Sequence, residues 1–366
     1  KRVGQVGQES RPNPPILLSG VNPDARLLMT TMTSNTKAPT WGALVRYIVC
    51  IVAVSWVVWS TDWGQLREVI AAANWRVAAL GVLVFGPAPV LIAIRLQWLL
   101  AVHDVRLTAW QAIKVTFAGN FITNALPFGT GGGDAVKAFY IARDTPHKHE
   151  AVITILFDRA IGVSSLLALA GFMVLLHWDK PEFAVHGRAI GAFTLVLLTG
   201  GMCYYSRRIR RILRLDALVA LLPLAEHLQR IDRALFAFRH RKRRLIGAIG
   251  LTFILQVVSI SSIFVGGWAL GLTGDAASPF TAVPAYLAYT PICLLAGALP
   301  LGVMEELFKQ LLSGAAKLGP AEAAVLLSLF CRFTQLAWAL PGALVVLKAG
   351  RPRDAVDALP EPDGLP

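Results

Sequence analysis

The chain has 366 residues, of which 55% are hydrophobic and 16% charged, and its mean hydropathy is +0.58. A water-soluble domain carries about a quarter charged residues, so this composition excludes one and makes the bilayer the solvent. The formal net charge of +13 then bears on where the chain meets anionic headgroups, not on how it folds.

Lys1 to Thr40 is polar, contains prolines and lacks an apolar core followed by a small-residue cleavage site. It reads as a disordered cytosolic tail covering 1–40, not as a signal peptide. The folded region, 41–347, opens with a short apolar run from Tyr47 to Trp59 and a full one from Val77 to Val102. Arg95 lies near the end of the second run, where a long cationic side chain snorkels to the interface.

Trp110 to Leu126 differs from these runs. Lys114, Asn120 and Asn124 interrupt its helical pattern and Pro127 ends it; Gly129, Gly131, Gly132 and Gly133 then precede a second short helix, Asp134 to Arg143. Neither half crosses comfortably, and a Pro/Gly turn at membrane depth is tolerated only where protein buries it or water reaches it. A re-entrant hairpin is expected, with the glycines as a loop and Asp134 starting the second helix.

Spans are expected again over Ala151 to Trp178, Ala189 to Tyr205, Leu245 to Leu272 and Ala323 to Leu347. Between them, the connection 206–244 holds twelve Lys or Arg against three acids. The positive-inside rule puts it in the cytoplasm, and with it both termini, including the tail 348–366. Its arginines interleave with Ile209, Ile212, Leu213 and Leu215, which suits a helix lying on anionic headgroups and calls for no nucleic-acid partner. An HxxxxD match from His227 to Asp232 falls in the same connection and is too short to carry meaning.

Thr281 to Leu299, then Pro300, Gly302 and a helix from Glu305 to Lys317, repeats the hairpin layout. Pro300, Gly302 and Arg332 stand 173 residues after Pro127, Gly129 and Arg159, while Glu306 and Lys309 stand 172 after Asp134 and Lys137. The chain thus divides into repeat 1, about 77–178, and repeat 2, about 245–347. Tracing the topology puts the hairpins on opposite sides. The expected fold is an all-α polytopic membrane protein of two inverted repeats, with six full spans and two re-entrant helical hairpins.

Arg159 and Arg332 lie inside spans, where a charge costs about 2.5 to 3.5 kcal/mol on insertion scales. One account has Arg159 pair with Asp134 or Asp158, and Arg332 with Glu305 or Glu306, to hold hairpin against span. The other has the same groups bind a ligand, and the two are compatible. Arginine offers a planar fork to phosphate oxygens, Lys137 or Lys309 adds a point charge, and Gly131, Gly132 and Gly133 present N–H groups to an anion. With Asn120, Asn124, Pro127, Pro300 and Gly302 these residues form the candidate site for an anionic, phosphate-bearing headgroup. No cofactor or metal is expected, because Cys50, Cys203, Cys293 and Cys331 lie in apolar segments without CxxC spacing.

The stretch NFITNALPFGTGGGDAVKAFYIAR, FDR at Phe157 to Arg159, ALPLGVMEELFKQLL and FCR at Phe330 to Arg332 together resemble the transmembrane region of lysylphosphatidylglycerol synthases, a flippase-like domain family. The resemblance runs from about Trp41 to Leu347, and Arg95 matches an arginine of the family. It implies lipid translocation or lipid handling in the bacterial cytoplasmic (inner) membrane, with membrane lipids as partners, anionic phospholipid or lipid phosphate among them, and self-association into a homo-oligomer left open. Only a short tail follows Leu347, so synthase activity is not carried over and no enzyme is expected. A membrane-embedded headgroup transferase and a non-transporting scaffold for a lipid-modifying enzyme are the alternatives. Leu301-Gly302-Val303-Met304-Glu305 departs from the family's second motif in having less glycine.

Overall fold

The computed structural model describes residues 61–125, 129–143, 145–177, 241–274, 278–297 and 302–348, with isolated positions at 55 and 59 and between 191 and 200. The expected N-terminal tail, most of the runs Tyr47–Trp59 and Ala189–Tyr205, most of the basic connection, and Pro127 and Pro300 lie outside the described residues. Among those described, every regular element is helical.

Helix α1 (Trp63–Ala72) starts on Asp62, whose carboxylate accepts from the amides of Gly64 and Gln65, and buries none of its residues. Asn74 caps α2 (Trp75–Val84) in the same way, through the Val77 amide. The run expected to be one span then breaks, because Pro87 has no N–H to continue the ladder. The Gly86 amide bends back to the Leu83 carbonyl at 2.9 Å, and α3 (Ala88–Leu100) restarts beyond it. Across this break, Trp75–His103 remains long and apolar enough to cross a membrane.

Helices α4 (Ala109–Ala125) and α5 (Gly129–Arg143) follow, and α6 (Lys148–Leu176) completes the first half. The second half opens with the unbroken α7 (Lys242–Ala269). After a 3-10 turn at Pro279–Ala282 come α8 (Val283–Ala296) and α9 (Val303–Phe308), the latter widening into a π-helical stretch, Lys309–Ala315. Helix α10 (Ala321–Ala339) is followed by α11 (Pro341–Lys348), bent by 48° at the intervening break.

The element order of the first half thus recurs in the second, and so do the contacts. Helix α4 packs on α5 as α8 does on α9; α5 packs on α6 as α9 does on α10. Between the halves the contacts exchange: α4 rests on α10 and α11, α8 rests on α6, and α2 and α3 rest on α7.

Among the described residues four helices qualify as spans, or five if α10 and α11 count as one. One of the four is Pro279–Ala296, which the sequence pattern made the entering arm of a hairpin. Its four-residue 3-10 extension upstream of α8 brings it to spanning length; the expected runs Tyr47–Trp59 and Ala189–Tyr205 fall almost wholly outside the described residues and are not among those counted.

In lipid the apolar effect supplies no net attraction between helices, so close packing and hydrogen bonds must. Where α2 crosses α7, Ser262 Oγ donates to the Gly81 carbonyl at 2.7 Å, and a Cβ on Gly81 would sit 3.0 Å from the Phe330 ring of α10. The larger buried cluster fills the second half around Tyr286, Tyr289, Phe308, Leu312 and Leu327. A smaller one around Leu96, Leu100, Ile141 and Ile155 serves the first.

The α2–α3 and α7 segments run antiparallel, and exposed tryptophans mark their ends. Trp63, Trp75 and Trp268 are exposed at one end, where the Asn74 amide bonds the Ala269 carbonyl at 2.9 Å. Trp98 is exposed at the other, where Arg244 donates to the Ala101 carbonyl and Arg241 faces Asp104 at 3.9 Å. Amphipathic rings at both ends of a helix pair are the pattern of the two membrane interfaces.

Candidate functional site

Two adjacent residues of α6, Asp158 and Arg159, organise the first half. Successive helical residues point about 100° apart, so they serve different neighbours. Asp158 turns to α3, where Arg95 Nε and Nη2 donate to its two oxygens at 2.6 and 2.9 Å. Arg95 Nη1 also reaches Thr252 Oγ1 of α7 at 3.2 Å, so the pair ties three helices together. Arg95 is 6% exposed. Of the two accounts of this arginine, snorkelling to the interface gives way to a buried, bidentate ion pair.

Arg159 turns to α5. Its Nε and Nη2 donate to Asp134 Oδ2 and Oδ1 at 2.5 and 3.1 Å, which fastens α5 to α6. Lys137, one turn along α5, is buried and brings its ammonium to 3.8 Å from Asp134 Oδ1. Its aliphatic stem lies in the slot left by Gly119 of α4, where a Cβ would come within 2.6 Å of Lys137 Cγ and Cε.

The glycine run is placed differently from the sequence reading. Helix α5 begins at Gly129, so Gly131, Gly132 and Gly133 lie within its first turns and Asp134 is not its cap. The reason for one glycine is steric: a Cβ on Gly133 would overlap Thr123 Oγ1 and the Gly119 carbonyl, so α4 and α5 meet backbone to backbone there. Gly131 faces open space. Asn124 Nδ2 bonds the Asn120 carbonyl at 2.8 Å, a contact internal to α4.

In the second half Gly302, at φ +100°, starts α9. Its amide donates to Glu305 Oε2 at 2.8 Å, and Arg332 Nε of α10 donates to Glu305 Oε1 at 2.6 Å with Nη2 at 3.4 Å from Oε2. Glu305, not Glu306, is thus the counterpart of Asp134. Glu306 instead accepts from Gln310 Nε2, one turn on in the π-helical stretch, at 2.7 Å, and its buried Oε2 has no hydrogen-bond partner among the described residues. Nor does Glu306 start α9, which begins at Val303; Lys309 opens the π-helical stretch.

These six arginine and carboxylate groups therefore fall into two equivalent clasps, Asp134 with Arg159 and Glu305 with Arg332, and one further pair, Arg95 with Asp158, that has no counterpart in the second half among the described residues. Its sequence signal was the arginine in an apolar run, with nothing to name a partner 63 residues away. Among the described residues no group of three or more His, Cys, Asp and Glu is placed to hold a metal ion, and Cys293 and Cys331 are free and buried. In each clasp the arginine gives its Nε–Nη2 edge to a carboxylate, while Nη1 donates to none of the described residues. A second anion can therefore approach either guanidinium and share it with the carboxylate already bound.

Compared with known families, residues 43–342 match the one described as Lysylphosphatidylglycerol synthase TM region, and the chain belongs to that family. No curated protein matches the chain.

Proposed function

We propose that this member of the lysylphosphatidylglycerol synthase TM family is a lipid flippase-like transporter that moves an anionic, phosphate-bearing lipid between leaflets of a bacterial cytoplasmic membrane by alternating access. The duplicated clasp carries the reading. Fastening a hairpin helix to a span needs no charge, since apolar packing does it at lower cost in lipid. Two arginines in equivalent places, each with one donor edge available, suit a ligand that visits both.

The geometry suggests how binding is coupled to movement. A lipid phosphate bonding Nη1 of Arg159 competes with Asp134 for the guanidinium, and weakening that clasp frees α5 to shift against α6. The equivalent exchange at Arg332 frees α9 against α10. With the repeats inverted and both termini cytosolic, as the basic connection favours, the first release opens the path to one leaflet and the second to the other. The reciprocal contacts of α4 with α10 and α11 and of α8 with α6 support a movement in which each half rocks on the other.

Lipid scrambling by purified protein in liposomes, read beside melting temperature, tests the proposal. Arg159→Lys and Arg332→Lys keep the charge but lose the fork, so each is expected to slow transport in a folded protein, and alanine to slow it further. Removing both partners of a clasp, as in Arg159→Ala with Asp134→Ala, is expected to restore stability but not transport. Full transport by a stable double variant would take the arginines out of the substrate path.

A further inference from the structure

The two clasps are alike in geometry but not in charge. Around the first, Arg95, Lys137 and Arg159 face Asp134 and Asp158, and Lys137 lies within electrostatic range of all four of the others. With all five groups ionised, the group carries three positive charges against two negative. The second clasp, Arg332 with Glu305, is neutral by itself, and Glu306 beside it turns to Gln310 of the same helical segment. The excess positive charge of the first group falls on Lys137. Both Asp158 oxygens are taken by Arg95 and both Asp134 oxygens by Arg159, and the Lys137 ammonium, 3.8 Å from Asp134, donates no hydrogen bond among the described residues.

A side chain this buried, 7% exposed, has exchanged water for a carboxylate beyond hydrogen-bonding distance, which leaves an ammonium undersatisfied in a medium that stabilises charge poorly. Access differs in the same sense: the Arg159 side chain is 41% exposed and that of Arg332 28%. Gly131, on the open side of α5, leaves space beside the cluster. The second clasp is satisfied from within, since Glu305 receives the Gly302 amide as well as Arg332.

Resting on the transport reading above, we infer that the halves are functionally unequal: the first cluster, with Lys137 and Arg159, is the resting anion site and is matched to a singly charged phosphodiester, while the Glu305–Arg332 clasp of the second half is a gate that binds the phosphate only in passing. One negative charge neutralises the first cluster. A phosphomonoester bearing two would leave it negative, and a zwitterionic headgroup would bring its own cation into a cluster that already has one too many.

The full chain in nanodiscs of phosphatidylcholine, titrated with phosphatidylglycerol and followed by thermal shift, tests this. Phosphatidylglycerol is expected to stabilise the protein, with half-saturation raised at least tenfold by Lys137→Met, which leaves both clasps intact, and by Arg159→Gln. Arg332→Gln is expected to change it less than twofold while abolishing scrambling. If Arg332→Gln does not fold, Glu305→Gln with Arg332→Gln replaces it, since that pair leaves no buried charge behind. Phosphatidic acid at pH 8.5, where it is doubly charged, is expected to bind at least fivefold more weakly. Competition by glycerophosphoglycerol would place recognition in the free phosphodiester, and absence of competition in the lipid-anchored one; the monoanion site stands in either case. Equal weakening by Arg332→Gln and Arg159→Gln, or no effect of Lys137→Met, would overturn the inequality and leave symmetric transport standing. Phosphatidylglycerol binding that follows the expected order in a protein that scrambles nothing would instead refute transport and leave the site.

Discussion

Trp338 of α10 donates its indole N–H to the carbonyl of Val82 in α2, 2.8 Å away and 256 residues earlier in the chain. The carbonyl is available because Pro87 has broken the helix and the Gly86 amide has gone to Leu83. The same indole packs on Gly86, where a Cβ would come 2.7 Å from its ring. A backbone defect in the first half is thus repaired by a side chain of the second, which keeps an irregular segment tolerable in the bilayer.

Trp338→Phe retains the ring and removes the donor. It is expected to destabilise the protein by about 1 to 3 kcal/mol, the cost of a buried group left unsatisfied, seen as a lower melting temperature in detergent. An unchanged melting temperature would mean that another donor or water serves Val82.

The glycines of α5 separate two roles that sequence left merged. Gly133→Ala places a methyl on Thr123 and the Gly119 carbonyl, so α4 and α5 must part, at about 1 to 3 kcal/mol. Gly131→Ala meets nothing within 4 Å and is expected to stabilise α5 by about 0.5 to 1 kcal/mol, since alanine is the better helix former. Thermal unfolding of the two variants checks the opposite signs.

Arg95 and Asp158 predict a stability effect without a specific transport effect. Asp158→Asn leaves Arg95 buried without its counter-charge, expected to cost about 3 to 5 kcal/mol. Replacing both, as in Arg95→Met with Asp158→Leu, is expected to recover most of that loss. Recovery of stability in the double variant, with scrambling still present at a permissive temperature, identifies the pair as a structural tie of α3 to α6.

Much of this was legible because punctuation by proline and glycine survives any change of apolar residues. The expected arms Trp110–Leu126 and Thr281–Leu299 lie within a few residues of α4 and α8, and both intramembrane arginines do find carboxylates. What failed was register. An offset of 172, shared with the lysines, pointed to Glu306 as the match of Asp134. Gly302 instead starts α9 so that Glu305 faces Arg332, and the following turn relaxes into a π-helical stretch. The glycine run read as a loop because helix propensity disfavours it, yet close approach of α4 requires Gly133 within the helix. Partners such as Arg95 with Asp158, or Trp338 with Val82, were beyond reach because nothing local encodes which distant group a buried donor meets.

The inversion of the two halves is the point on which alternating access depends most, and thiol labelling reaches it directly. The basic connection carries twelve Lys or Arg against three acids, so in a background lacking the native cysteines Ser206→Cys is expected to react with a membrane-impermeant reagent only after permeabilisation. Ser278→Cys, beside the turn that leads into α8, is expected to react in intact cells. The hairpins then divide: Gly131→Cys, in the open first turn of α5, should be reached from the cytoplasm and Val303→Cys, first residue of α9, from the other face. A charged reagent reacts only where water extends, because lipid admits neither it nor the thiolate it needs. Labelling of both hairpin positions from one side would make the repeats parallel, and a single rocking motion could not then open the two clasps to opposite leaflets.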